Sequence, residues 1–364
     1  VSDSPQVVHV NLGERSYDIE IDAGNLGRAG QFLAERGRTT HAVVITDENV
    51  ETPHAHVVGE SLAEAGINVD LAVIEPGEPS KSVESATALW EKLLQLGADR
   101  KSVVVAVGGG VVGDLAGFIA ATYARGIRFL QVPTSLLAQV DSSVGGKVGI
   151  DLPQAKNMVG AFLQPLGVLI DTSTLETLPD REYRAGLGEV VKYGVILDAD
   201  LFAYLEANVA GLNAHDHGVL RHVIARCCRL KADVVEQDEL ELSGLRAVLN
   251  YGHTFGHAFE TLTGYGTLLH GEAVAIGMLC ASRLAERLGR VDAAFTARQQ
   301  RLVAALGLAT EIPSLDPDLV LRSMLHDKKV QHGKLRFVLP TRMGHCELVG
   351  DVDPDDVRAV VTSD

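Results

Sequence analysis

Apolar and polar positions alternate at the start of the chain, over residues 7–12 and 17–21, with Gly13-Glu14-Arg15-Ser16 between them. Two alternating runs around a glycine-bearing turn predict a β-hairpin. The pattern then changes. Residues 42–46, 68–74 and 102–107 are short β-branched, apolar runs, and the stretches between them, 55–65 and 82–96, repeat their apolar side chains near every 3.6 positions. Residues 129–132 and 168–171 continue the strand series. Such strands separated by helices predict a parallel, doubly wound sheet.

After Leu178-Pro179-Asp180 the spacing becomes helical almost throughout, over 181–197, 201–207, 219–236, 246–263, 271–288 and 294–306. Two short strands are expected late, at 335–339 and 346–349. The fold class expected is therefore α/β, an N-terminal Rossmann-like parallel sheet with helices over residues 1–178, followed by a mainly α-helical C-terminal domain over 179–364. The site is expected in the cleft between the two. No internal repeat competes with this division.

Composition narrows the partners. With 46% hydrophobic and 22% charged residues, 364 residues can build globular cores, and the formal charge of −16 argues against nucleic-acid or membrane-surface binding. Anions can be held only where Lys and Arg gather locally. Cys227, Cys228, Cys280 and Cys346 show no C-x-x-C spacing, residues 1–6 lack a signal-peptide layout, and the apolar runs 103–112 and 273–281 are too short to span a bilayer. A reduced, cytoplasmic setting is the expectation.

Candidate chemistry begins where strand 102–107 ends. Gly108-Gly109-Gly110-Val111-Val112-Gly113-Asp114 satisfies G-x-G-x-x-G on a strand-to-helix turn, where backbone N–H groups can meet a pyrophosphate. It is not in the first βα unit, and no acid follows about 20 residues on, so a packing turn remains open. Asp47 and Pro76-Gly77-Glu78 follow two other strands and suit ribose or phosphate contacts as well as ordinary turns. Asp141-Ser142-Ser143-Val144-Gly145-Gly146-Lys147 fails the Walker A test because Val148 stands where Ser or Thr is needed. It leaves a glycine-flanked Lys147, with Lys156 following in Ala155-Lys156-Asn157.

In the helical half, Glu189 and Lys192 are three apart, as in a common salt bridge. His253 and His257 are four apart on the helix expected over 246–263, which also carries Asn250, and His270 follows between an apolar run and Gly271. One carboxylate with two of these imidazoles suits zinc with open positions. Spacing does not choose among the three histidines.

Taken together, these segments resemble the 3-dehydroquinate synthase family, within the sugar phosphate cyclases. The resemblance rests on Pro76-Gly77-Glu78 with Lys81, the Gly108 to Asp114 turn, Pro133-Thr134-Ser135-Leu136-Leu137, the Asp141 to Lys147 segment and Lys156-Asn157. It continues through Glu189-Val190-Val191-Lys192-Tyr193-Gly194, Asn250-Tyr251-Gly252-His253, His270-Gly271-Glu272 and Asp327-Lys328-Lys329. The resemblance implies conversion of a phosphorylated seven-carbon keto acid, 3-deoxy-D-arabino-heptulosonate 7-phosphate, into 3-dehydroquinate and phosphate. It implies NAD and Zn2+ or Co2+ as cofactors, and a homodimer.

Matched position by position, the resemblance implies Glu189, His253 and His270 as metal ligands. It implies Asp47, Glu78, Lys81, Gly110, Val111, Gly113, Asp114, Thr134, Ser135, Lys147, Lys156, Thr174 and Thr177 at NAD. Lys147, Asn157, Asn250 and His257 surround the phosphate, with Arg125 reaching in from a neighbouring subunit. Lys231 and Arg246 take the substrate carboxylate, and Asp141, Lys156 and Lys192 orient and polarise ring hydroxyls. Lys334 corresponds loosely to a late phosphate-binding lysine and is left outside the set. A metal-dependent polyol dehydrogenase shares the layout but has no need of these anion pockets, and cyclases of other sugar phosphates lack the substrate carboxylate. A non-catalytic NAD-binding regulatory protein would have lost a ligand.

Overall fold

The computed structural model describes residues 5–153, 155–264, 266–326 and 335–362. Asp327-Lys328-Lys329 and Lys334 lie outside the described residues. The chain divides into two compact units, Val1–Pro179 with Leu220–Leu240, and Asp180–Val219 with Glu241–Asp364.

The first unit is built on the strands β1 (Gln6–Val10), β2 (Tyr17–Asp22), β3 (His41–Asp47), β4 (Asn68–Ile74), β5 (Val103–Gly108), β6 (Arg128–Pro133), β7 (Lys147–Leu152), β8 (Ala155–Phe162) and β9 (Val168–Asp171). Its helices are α1 (Ala29–Ala34), the single turn α2 (Glu48–Val50), α3 (His56–Glu64), α4 (Val83–Gln95) and α5 (Gly110–Thr122). The expected β1–β2 hairpin is present, with a 3-10 turn at Gly13–Arg15. Seven strands form one sheet in the order β1-β2-β9-β6-β5-β3-β4, parallel from β2 to β4. Every residue of β5 is buried, because both of its faces are covered. Val104 and Ala106 pack with Leu89, Leu115 and Ile119 of α4 and α5, while Val103, Val105 and Val107 pack with Phe32 and Leu62 of α1 and α3. The period-2 direction of strand side chains divides the run between two cores.

The β7–β8 hairpin was not expected from the pattern. At its centre Gly149 and Gly160 face each other, where a Cβ on Gly149 would fall 2.8 Å from Val159 O. The strands close because these positions lack side chains, and the missing side chains also hide the alternation. Lys147 and Lys156 therefore stand on strands rather than on the glycine-rich loop expected for them.

The second unit is mainly helical. It comprises α6 (Asp180–Ile196), α7 (Ala199–Ala207) and α8 (Val209–Asn213), and, after α9 (His217–Gln237), which lies almost wholly in the first unit, α10 (His253–Thr263), α11 (His270–Arg287), α12 (Ala293–Ala305), α13 (Pro317–His326) and α14 (Pro354–Val361). A hairpin of β10 (Arg336–Arg342) and β11 (His345–Gly350) completes it. α11 is buried nearly all round and packs on α6, α10, α12, α14 and β10. Among the described residues no helix is long and apolar enough to cross a membrane.

One expected helix is broken. Residues Leu245–Asn250 form a 3-10 helix, Tyr251 and Gly252 form a turn, and α10 begins at His253 after Gly252 at φ +79°. A Cβ at Gly252 would lie 2.8 Å from Val274 O, so the close approach of α11 and the left-handed backbone both require glycine there. Asn250 is thus not on the helix that carries His253 and His257.

Candidate active site

Five of the segments expected at a dinucleotide follow the carboxyl ends of adjacent parallel strands, while Lys147 and Lys156 stand on the separate β7–β8 hairpin. Asp47 closes β3, Glu78 and Lys81 follow β4, the glycine turn follows β5, Thr134 and Ser135 follow β6, and Thr174 and Thr177 follow β9. The chain runs outward from β3 to β4 and then returns past β3 to β5, so the strand order reverses between Asp47 and Gly108. Ligands bind at such a switch point. Gly109 caps α5 without a side chain, and Gly110, Val111, Gly113 and Asp114 occupy its first turns. The turn's free N–H groups form a ready anion site. Thr134 N–H donates to Gly108 O at 3.0 Å, which ties the β6 loop to the turn. Asp47 accepts from the N–H groups of Asn49 and Val50, and burial raises its carboxyl above the ordinary value.

Lys81 joins three parts of the first unit. Its Nζ lies 2.9 Å from Asp114 Oδ2, 2.6 Å from Asn157 Oδ1, 3.4 Å from Glu78 Oε1 and 3.9 Å from Asp151 Oδ1. Burial pulls the ammonium down, but the surrounding carboxylates outweigh it and hold its pKa above the ordinary value. Burial likewise pushes Glu78 up, and Lys81 and Lys156, the latter 3.7 Å away, outweigh that and hold it low. Asn157 adopts φ +53° and donates its N–H to Asp151 at 2.7 Å. Asp151 was not anticipated; its signal was a third acid near two lysines.

Elsewhere in this unit, Lys231 Nζ pairs with Asp141 Oδ1 at 2.6 Å and donates to Asp141 O at 2.7 Å. Thr174 takes a hydrogen bond from Gln139 Nε2 at 3.1 Å, and Thr177 Oγ1 lies 2.7 Å from His54 Nε2. Neither Gln139 nor His54 was singled out in the sequence. Ser135 Oγ accepts from Ala138 N–H at 3.3 Å. Lys147 is exposed at the start of β7. Arg125 is exposed too, at φ +68° between Ala124 at +50° and Gly126 at +108°. Three successive left-handed residues form a strained turn that presents this guanidinium outward.

In the second unit Glu189, His253 and His270 converge from α6, α10 and α11. Glu189 is fully buried, and its Oε1 lies 3.6 Å from His253 Nε2 and 3.7 Å from His270 Nε2. The proton positions follow from the partners. His253 Nδ1 lies 3.1 Å from Tyr251 O, and His270 Nδ1 lies 3.1 Å from Glu260 Oε2. Both partners only accept, so each Nδ1 is the donor, and in the neutral form of each ring the Nε2 lone pair faces Glu189. Glu189 Oε1 accepts no hydrogen bond among the described residues. Two lone pairs and an unsatisfied carboxylate oxygen, close to the edge of about 3.4 Å that bonds near 2.1 Å give in a tetrahedron, fit a divalent cation.

The other second-unit candidates lie apart in role. Lys192 is buried and pairs with Glu189 Oε2. Arg246 is buried on the 3-10 helix, and Asn250 donates from Nδ2 to Ala247 O at 3.2 Å. His257 is half-buried one turn along α10, and with Glu260 and His270 it forms a second metal-capable trio. Burial draws the His270 imidazole down, while Glu260 and Glu189 outweigh it and hold its pKa above the ordinary value. Glycines set the helix spacing here. A Cβ at Gly188 would fall 2.6 Å from Gly271 O, one at Gly271 would overlap Ala185 O, and one at Gly256 would fall 3.0 Å from Ala273 O.

Comparison with known proteins gives concordant matches. Residues 71–185 match the family model for the N-terminal part of 3-dehydroquinate synthase, and residues 186–330 match that for its C-terminal part. The chain is 51% identical to the 3-dehydroquinate synthase of Desulforamulus reducens over 98% of its own length and 99% of the relative's. Among solved structures, a 2-deoxy-scyllo-inosose synthase complexed with carbaglucose-6-phosphate, NAD+ and Co2+ superposes with a TM-score of 0.89 at 28% identity, covering 98% of this chain and 99% of that one. The 2-epi-5-epi-valiolone synthase of Streptomyces hygroscopicus, with NAD+ and Zn2+ bound, gives 0.87 at 27% identity, covering 99% and 98%.

Proposed function

The chain belongs to the 3-dehydroquinate synthase family, and from that membership we propose how its residues divide the work. The reaction converts 3-deoxy-D-arabino-heptulosonate 7-phosphate into 3-dehydroquinate and phosphate in the shikimate pathway, with NAD and a divalent zinc or cobalt ion. When bound, NAD takes and returns a hydride while the ion polarises the oxygen on the carbon being oxidised.

Glu189, His253 and His270 hold the ion. The observation that carries this reading is the buried Glu189 oxygen, left without a hydrogen bond and faced by two imidazole lone pairs. The turn from Gly110 to Asp114 receives the pyrophosphate of NAD, with Asp47, Glu78, Lys81, Thr134, Ser135, Thr174 and Thr177 at the remaining contacts. Lys231 and Arg246 bind the substrate carboxylate, where a guanidinium offers two parallel donors. Lys147, Asn157, Asn250 and His257 receive the phosphate and neutralise it as it leaves. Asp141, Lys156 and Lys192 hold the ring hydroxyls in the geometry the later ring closure needs. The NAD-binding part is assigned to residues 1–178 and the metal- and substrate-binding part to 179–364, with Lys231 supplied by the Leu220–Leu240 segment.

The protein works as a cytoplasmic homodimer in which Arg125 completes the neighbour's phosphate site. An assay of phosphate release from the heptulosonate phosphate, with NAD and zinc present, tests the reading. Release without accumulation of NADH is expected. Steady NADH formation from a polyol, with no phosphate released, overturns it.

A further inference from the structure

Glu260 is a buried carboxylate to which none of these roles falls. It is the last of a stripe on α10, His253, His257 and Glu260, whose spacings of four and three place all three on one helix face. From there it reaches α11 and accepts the Nδ1 proton of His270 at 3.1 Å. His253 donates its own Nδ1 proton to the Tyr251 carbonyl, also at 3.1 Å. The two imidazoles that face Glu189 are therefore aimed by unlike partners, one a neutral carbonyl and the other an anion.

We infer that Glu260 is a positioning residue of the metal centre, fixing the tautomer and ring plane of His270 and strengthening its Nε2 as a donor to the divalent ion. The inference rests on reading Glu189, His253 and His270 as the ligands. A carboxylate behind a ligating imidazole raises its basicity and removes the wrong tautomer, and loss of such a partner weakens metal binding about 10- to 100-fold. The second trio, His257, Glu260 and His270, is the competing arrangement. There Glu260 would itself be a ligand to the ion rather than the acceptor of the His270 Nδ1 proton.

The test uses the full-length protein stripped of metal and reloaded with Co2+. Affinity is read by competition with a chromophoric chelator, stoichiometry by elemental analysis, and ligand geometry by the visible spectrum of bound cobalt. Glu260→Ala is expected to weaken binding about 10- to 100-fold and to shift the cobalt bands. Glu260→Gln, whose amide oxygen can still accept from Nδ1, is expected to recover part of the loss. A merely structural role lowers the melting temperature of the metal-free protein but leaves the cobalt spectrum of the loaded protein unmoved, and that result overturns the inference. So does a wild-type stoichiometry of two ions that falls to one in Glu260→Gln, because Glu260 is then itself a ligand. Glu189→Gln separates the two levels. If it loses the metal while both Glu260 variants bind normally, only the positioning role fails; if it binds normally, the ligand set fails and the positioning role with it.

Discussion

Glu189 Oε1 stands 3.6 Å from His253 Nε2, and among the described residues nothing donates a hydrogen bond to it. The other oxygen of the same carboxylate pairs with the buried Lys192. One side chain thus faces the expected ion and a protein cation at once. Glu189→Gln should lower metal affinity at least about 100-fold, beyond the range for outer partners. It should also destabilise the metal-free protein by about 3 kcal/mol, because the Lys192 ammonium stays buried without its anion. Chelator competition and urea unfolding measure the two effects separately.

Gly271→Ala tests the contact between α6 and α11. The added methyl overlaps Ala185 O, which is backbone and cannot rotate away. Overpacking of this kind costs about 3 kcal/mol, and the helices must part, which draws His270 from Glu189. Gly27→Ala, where a Cβ meets nothing within 4 Å, is the control and should change stability by about 0.5 kcal/mol or less. Equal unfolding midpoints for the two variants would contradict the packing argument.

Lys81→Met removes the cation between Asp114, Glu78 and Asp151. The loss should be about 2 kcal/mol, less than for a fully enclosed pair because Glu78 remains 38% exposed. NAD binding, followed by calorimetry, should weaken as well, since Asp114 in the first turns of α5 and Asn157 on β8 lose their common partner. Normal NAD affinity in this variant would exclude Lys81 from the cofactor site.

A pH prediction follows from His54. Burial lowers its pKa below the ordinary histidine value and outweighs Asp171 and the Pro53 backbone, which oppose it, and its Nε2 is bonded to Thr177 Oγ1. Above the unfolded pKa, near 6.5, both states are neutral and the group contributes nothing. As pH falls below it the unfolded chain takes up the proton first, so stability declines until the folded pKa is passed. His54→Gln keeps a hydrogen-bonding group but does not titrate. Its melting temperature should fall less than the wild type's between pH 7 and pH 5, and parallel curves would show that His54 is not the group responsible.

Arg125→Ala should lose activity in the pure variant and regain it when mixed with a variant lacking a different site residue. In a random equal mixture half of the dimers are mixed and each carries one intact site, so about a quarter of the wild-type rate is expected, on the isologous geometry of a two-fold dimer. Mixtures that never exceed the sum of their components would show that each subunit keeps its own arginine.

The layered architecture was legible because its strands are continuous apolar runs: Val103 to Val107 can be satisfied only between two covered faces. The β7–β8 hairpin was not legible, because Gly149 and Gly160 remove the side chains that would mark the alternation. The break between Asn250 and His253 was hidden for another reason, since residues 246–263 keep a helical spacing on both sides of Gly252, and the left-handed turn there is imposed by α11. Glu260 was not singled out in the sequence, although it closes a His, His, Glu stripe at helical spacing. What it faces is decided by a different helix, and no spacing within α10 contains that information.

The close helix contacts at Gly188, Gly256 and Gly271 bear on how the ion comes and goes. The three residues proposed as ligands stand on helices held together by close backbone contacts at these glycines, so little of the chain would have to become ordered around a cation. Small zinc-dependent domains that fold only on binding their ion behave in the opposite way. Here a chelator is expected to empty the proposed centre while the helices stay in register, so that loading with a second metal proceeds as an exchange at a standing receptacle rather than as a refolding.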